Sequence, residues 1–255
     1  MSPRESLHDA KDLDVKIEDL VVAFGAFHAV DHVDLDVAEG HVHFLIGPNG
    51  AGKTTLIDSI TGLVPYTGKI TVGGHDLAGM RVQDIARLGI GRSFQTATVF
   101  ERQTVLQNLD IAYRGGRSWT SLFTLRRGIP ERIHEILQVI GLTDHMSELA
   151  GALSHGQKQW LEIGMVMAQD ARVVLLDEPV AGMTLEERDQ TGELLKTICP
   201  GRVVMIVEHD MEFMRKYADA VTVMARGSVL VEGSVEQIQA DKRVQDVYLG
   251  AAEAV

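Results

Sequence analysis

Apolar and polar residues alternate through positions 15–20 and again through 30–37, the period-two pattern of strands with one wet face. Positions 43–46 read as a short apolar strand running straight into a glycine-rich segment, and 56–60 follow as a helix ended by Gly62. The clearest helix is opened by Pro130 and closed by Gly141, with Ile133, Ile136, Leu137 and Ile140 on one face. Two continuous apolar runs, 173–176 and 203–207, fit strands of a parallel sheet covered on both faces. Strands with intervening helices predict an α/β fold. From about 96 to 168 strand signals fade, so that stretch reads as a helical insertion.

Composition narrows the class. The chain has 255 residues, 45% of them apolar, enough to bury a sizeable core and to exclude disorder along its whole length. Its net charge of −12 argues against a nucleic-acid partner, whose binding surfaces are basic. No apolar run approaches the roughly 18–20 residues of a membrane-crossing helix, so membrane association has to come through another subunit. Positions 1–14 are polar and are expected to form a solvated tail. Cys199 is the one cysteine, which rules out an internal disulfide and suits a reduced compartment.

Three motifs carry chemistry. Gly47-Pro48-Asn49-Gly50-Ala51-Gly52-Lys53-Thr54-Thr55 contains G-x-x-x-x-G-K-[ST] between a strand and a helix, the context a phosphate-binding loop requires. Its backbone N–H groups would cradle phosphate oxygens, Lys53 would reach the β- and γ-phosphates, and Thr54 would offer its hydroxyl to Mg²⁺. Asp177 and Glu178 follow a buried strand, where ligands gather in an open α/β sheet. There Asp177 can hold Mg²⁺, directly or through water, and Glu178 can orient and polarise an attacking water. Leu153-Ser154-His155-Gly156-Gln157 precedes a helical pattern; Ser154 is a good N-cap, and the segment is either a plain cap or a second anion site.

Taken in order, these pieces resemble the ATP-binding subunits of ABC transporters, from about Val15 to Gly250. The resemblance implies a P-loop NTPase of ABC type: a mixed-sheet core with an antiparallel β portion and an inserted helical subdomain. It divides the chain into a tail (1–14), an ATP-binding core (15–95), a helical subdomain with the signature motif (96–168) and the rest of the core (169–255). It also implies that Phe24 stacks on adenine and that Gln95, in Ser93-Phe94-Gln95, coordinates Mg²⁺ or water. His209, in Val207-Glu208-His209-Asp210, would bond the γ-phosphate and hold the attacking water in line for Glu178. Ser154, Gly156 and Gln157 would meet the nucleotide of a second ATP-binding subunit, sister or self, in a head-to-tail sandwich. Implied partners are integral membrane permeases and, indirectly, an extracytoplasmic solute-binding protein, with this subunit peripheral on the cytoplasmic face.

The sequence departs from the family pattern twice. His155 stands where glycine is common, so its side chain must point away from the phosphate. Val180-Ala181-Gly182-Met183 follows Pro179 without the aspartate many relatives carry. The phosphate loop, the 179–183 segment and the ending Val247-Tyr248-Leu249-Gly250 look like the hydrophobic amino acid and amide uptake branch. Positions 153–165 and 207–213 are similar to a urea-transporter ATPase subunit, which makes urea the expected solute and branched-chain amino acids the alternative. Non-transport ABC ATPases carry extra modules that are not visible here.

Other features are weaker. Arg114, Arg117, Arg126 and Arg127, interleaved with Trp119 and Phe123, form an acid-free stretch over 113–128. It is either a surface facing anionic headgroups or a membrane subunit, or an ordinary solvated loop. His41 and His43 share one side of a strand but lack a third metal ligand. Met165, Met167, Met205, Met211 and Met214 read as core filler, and Cys199 as a non-catalytic turn residue.

Overall fold

The computed structural model describes residues 7, 13–93, 97–114 and 129–252. Strands β1 (Val15–Phe24) and β2 (Phe27–Val37) pair as a hairpin. With β4 (Thr67–Val72) and β5 (His75–Asp76) they make an antiparallel sheet in the order β2-β1-β4-β5. A second sheet holds β3 (Val42–Ile46), β6 (Ile90–Arg92), β7 (Val173–Asp177), β8 (Val203–Val207), β9 (Ala220–Ala225) and β10 (Ser228–Gly233). Its order is β10-β9-β3-β8-β7-β6, parallel throughout except for β10 at one edge. This is the expected α/β class, with a mixed sheet and an antiparallel portion.

The uninterrupted apolar strands follow from burial on both faces. Val174 and Leu176 of β7, Val204 and Ile206 of β8, and Phe44 of β3 enter one core. Their alternates Val173, Leu175, Val203, Met205 and Leu45 enter the other. Successive side chains point to opposite sides, so a strand dry on both has no polar positions. The first core is closed by α3 (Val105–Arg114), α4 (Glu131–Val139), α5 (His155–Ala168), α6 (Leu185–Ile198) and α7 (Met211–Tyr217). Val235 and Ile238 of α8 (Val235–Ala240) and Val244 of α9 (Lys242–Ala252) join it. The second core is closed by α1 (Lys53–Ile60), α2 (Val82–Leu88) and the antiparallel sheet, whose inward positions Val15, Ile17, Val33 and Leu35 alternate with exposed ones.

Between β6 and β7 the described residues hold α3, α4, a 3-10 turn at Ala150–Ala152 and α5, in keeping with a helical insertion. α4 is capped by Pro130, and Gly141 lies just beyond its end at φ 68°. Some expectations change. α1 begins at Lys53 rather than at 56, because the turn continues directly from the glycine loop. Leu7 and Leu13, placed by sequence in a solvated tail, are completely buried in the second core. The hydrophobic pattern of the sequence does not predict strands β4, β5, β6, β9 and β10. No helix among the described residues is long and apolar enough to cross a membrane. Met165, Met167, Met205 and Met214 are buried in the cores and Met211 packs against one. Cys199 is buried at the end of α6, where burial pushes its thiol up to about 11.

Candidate active site

β3, β8 and β7 are adjacent and parallel, so their carboxyl ends open on the same edge of the sheet. From β3 the chain enters the glycine loop and α1; from β7 it reaches Asp177 and Glu178; from β8 it reaches Glu208 and His209. Sheet order thus gathers side chains more than a hundred residues apart.

The loop requires glycine at its two narrowest points. A Cβ on Gly47, at φ 148°, would lie 2.1 Å from the carbonyl oxygen of Met224, and one on Gly52, at φ 100°, 2.3 Å from that of Ala29. Lys53 is buried, and its ammonium donates to the carbonyls of Gly47 (2.8 Å) and Pro48 (3.0 Å). Burial lowers its pKa, with Glu178 and Asp177 acting in the opposite direction. α1 has no acidic side chain in its first turn and no side-chain cap, so its amino end is suited to an external anion. A cleft of about 360 Å³ runs along the loop from Asn49 to Thr55, with Glu178 on its wall and Phe24 and Phe27 at its mouth. These two residues pair in register across the β1–β2 turn and are 54% and 64% exposed, suited to stacking on a planar base. Phe27, the cross-strand partner of Phe24, has no comparable signal in the sequence.

Asp177 is buried beside Arg92, whose Nη2 lies 3.3 Å from Oδ2 and whose Nη1 pairs with Asp58. Burial raises the pKa of Asp177, and the Arg92 charge opposes that rise. Among the described residues no three His, Cys, Asp or Glu side chains form a metal cage. The hard oxygens of Thr54 and Asp177 fit Mg²⁺, which commonly completes its shell with water and substrate phosphates. Glu178 follows at φ 50°, an uncommon conformation for a residue with a side chain, and its N–H donates to Val207 (2.9 Å). Its Oε1 lies 3.6 Å from Nδ1 of His209. This arrangement brings a glycine loop with its lysine, a buried aspartate and a carboxylate–imidazole pair to one edge of the sheet, a set suited to nucleoside-triphosphate hydrolysis.

Residues 30–181 match the ABC transporter family, and 228–254 match the branched-chain amino acid ATP-binding cassette transporter family. The chain is 34% identical to the high-affinity branched-chain amino acid transport ATP-binding protein LivG of Salmonella typhimurium, over 92% of its own length and 97% of LivG. It is 34% identical to BraF of Pseudomonas aeruginosa, which bears the same description, over 93% and 98% of the two chains. The chain belongs to the ABC transporter ATP-binding family. A solved ABC transporter ATP-binding cassette in its ADP conformation superposes with a TM-score of 0.80 at 29% identity, covering 94% of this chain and 99% of that one. A second structure of such a cassette gives 0.79 at 31% identity, covering 92% and 98%. As an ABC cassette the protein binds ATP and hydrolyses it.

The Leu153–Gln157 segment stands apart from this cleft. Ser154 caps α5 in a capping box: its Oγ accepts from the N–H of Gln157 (3.1 Å), and the Gln157 side chain accepts from the N–H of Ser154 (2.9 Å). Ser154, Gly156 and Gln157 do not line the cleft. His155 points toward the segment after Glu178, its Nε2 3.0 Å from the carbonyl oxygen of Ala181. Gln95 and the basic stretch from 115 to 128 lie outside the described residues. His41 and His43 do not share a site: His41 Nδ1 bonds to the carbonyl of Glu39, whereas His43 is buried against Thr222.

Sequence reading missed Arg92, Asp58 and Glu208. The carboxylate of Glu208 is 1% exposed and accepts from the N–H groups of Val180 (3.2 Å) and His209 (3.1 Å). Burial raises its pKa, against the pull of those bonds. Its place beside His209 was the one available signal.

Proposed function

We propose that this cassette powers a branched-chain amino acid importer. The observation that carries the reading is likeness along nearly the whole chain to LivG and BraF, together with the match at 228–254. Urea, expected from shorter stretches at 153–165 and 207–213, is the weaker alternative. The solute reaches the permeases through a binding protein and does not touch this subunit, which sits peripherally at the cytoplasmic face.

Within the site, Phe24 stacks on adenine, while Gly47, Pro48, Asn49, Gly50, Ala51, Gly52, Lys53, Thr54 and Thr55 enclose the phosphates. A bound Mg²⁺ would neutralise charge on the β- and γ-phosphates, held by Thr54, Asp177 and Gln95. Glu178 takes the proton of the attacking water, and His209 keeps that water in line. Ser154, Gly156 and Gln157 close over the nucleotide of a second cassette, so the working unit is a head-to-tail dimer. The division at 95/96 and 168/169 separates the two parts of the core from the helical arm that faces the permeases.

Two experiments test the reading. Glu178→Gln removes the base but keeps the shape, so ATP affinity is retained and turnover falls by about 10²–10⁴-fold; wild-type turnover would remove Glu178 from the role. In cells that lack the chain, wild-type protein restores uptake of labelled leucine and the Gln variant does not. Restored urea uptake without leucine uptake would reverse the choice of solute.

A further inference from the structure

The segment between Glu178 and α6 is tied to its surroundings at three points. The carbonyl of Ala181 can only accept, so the proton sits on Nε2 of His155 and is donated across 3.0 Å. Ser154 Oγ donates to Oε1 of Glu187 over 3.1 Å. The other oxygen of Glu187 accepts from the N–H and hydroxyl of Thr184, at 3.0 and 3.1 Å. On the opposite side, Glu208 holds the N–H of Val180 with one oxygen and that of His209 with the other.

One carboxylate therefore joins the caps of two helices, α5 and α6. The Thr184 backbone bond, then the side-chain bonds to Thr184 and Ser154, hold Glu187 below the usual carboxylate range, so it stays anionic at neutral pH. The fit is close: a Cβ on Gly156 would lie 2.7 Å from Oε1 of Glu187. Glu178 at the head of this segment has its left-handed backbone held by Val207 on the β8 side. A residue in that conformation persists only where its surroundings over-determine it.

We propose that His155 and Glu187 are positioning residues, forming a strap that carries the state of the α5 amino terminus to Glu178. When the partner cassette's γ-phosphate settles on Ser154 and Gly156, the strap sets the catalytic carboxylate of this subunit and, through Glu208, its His209. The proposal rests on the reading of Ser154 and Gly156 as ligands in trans. It also accounts for the side chain at 155: glycine there could not reach Ala181. With no aspartate in the 180–183 segment, a contact made within the same chain links the two sites.

The test uses the purified full-length chain and the variants His155→Gly and His155→Gln. Glutamine places an amide donor at a similar reach. His155→Gly is expected to lower kcat about tenfold, with affinity for a fluorescent ATP analogue kept within about twofold, and His155→Gln to recover at least about half of the loss. In the nucleotide-free chain, the amides of Ala181 and Met183, which donate to Glu178 and Val180, should exchange with deuterium about tenfold faster in His155→Gly. Wild-type turnover and exchange in His155→Gly would overturn the strap, as would a loss that glutamine does not recover. Ser154→Arg separates the two layers. If it abolishes turnover while His155→Gly does not, the trans site stands and the strap falls. If it turns over ATP normally, the trans site fails and takes the relay with it.

Discussion

His43 occupies a strand otherwise built of Val42, Phe44, Leu45 and Ile46, with its Nε2 2.8 Å from the hydroxyl of Thr222 on β9. Burial, helped by the nearby charge of His41, pushes its imidazole down to about 4. The group is therefore neutral in the native protein, whereas the unfolded chain takes up a proton near 6.5. Its effect on stability is flat above that value, and stability is lost as pH falls from 6.5 toward 4. Between pH 6.5 and 5.0 the loss from this residue is roughly 2 kcal/mol. Denaturant titrations at the two pH values check it. His43→Gln keeps a partner for Thr222 and cannot titrate, so its stability should change by about that much less; identical drops in both proteins would remove His43 as the cause.

At the scale of elements, α5 is the hub. Gly164 on its buried face lets α3 and α4 approach: an added Cβ would lie 2.7 Å from Cδ1 of Ile140 and 3.2 Å from Cδ2 of Leu109. Gly164→Val should overpack that junction and cost about 1–3 kcal/mol. The candidate cleft is built on β3 and α1, so affinity for an ATP analogue should remain within about twofold of wild type. A thermal melt and a binding titration on the same sample read both, and unchanged stability would show that the helices part without cost. Capping is the other lesson here. Ser154-x-x-Gln157, Thr184-x-x-Glu187 and Ser234-x-x-Gln237 all form capping boxes. All three signatures are visible in the sequence.

For the whole molecule, the prediction concerns shared sites. On the proposed roles, Lys53→Ala would disable a subunit's own phosphate loop, and Ser154→Arg would block what that subunit lends to its partner. Each variant alone should be inactive. In an equal mixture about half of the dimers are mixed, each with one intact site and one carrying both defects, so about a quarter of wild-type turnover should return if pairing is random. No recovery in a mixture shown to form mixed dimers would argue against sites composed of two subunits. Loss of monomer ATP binding in Ser154→Arg would argue against the trans role of Ser154.

The parts of this protein legible without coordinates are those whose physics is local. The loop from Gly47 to Thr55 is contiguous, and its glycines and lysine belong to one turn, so the candidate loop is legible directly. The strands at 173–176 and 203–207 announced burial on both faces, and Pro130 and Gly141 bracketed α4. Short or polar strands carried no such signal: β6 has three residues, and β4 begins Thr67-Gly68-Lys69. The pairings that tune the site were also beyond reach. Arg92 finds Asp58 and Asp177, Glu208 finds Val180, and Glu187 finds Ser154 across gaps of 28 to 85 residues. A charged side chain has many possible partners in the sequence, and no local periodicity ranks them. Sheet order makes the choice, because placing β8 between β3 and β7 brings three loops to one edge and leaves each buried charge only a few neighbours within reach.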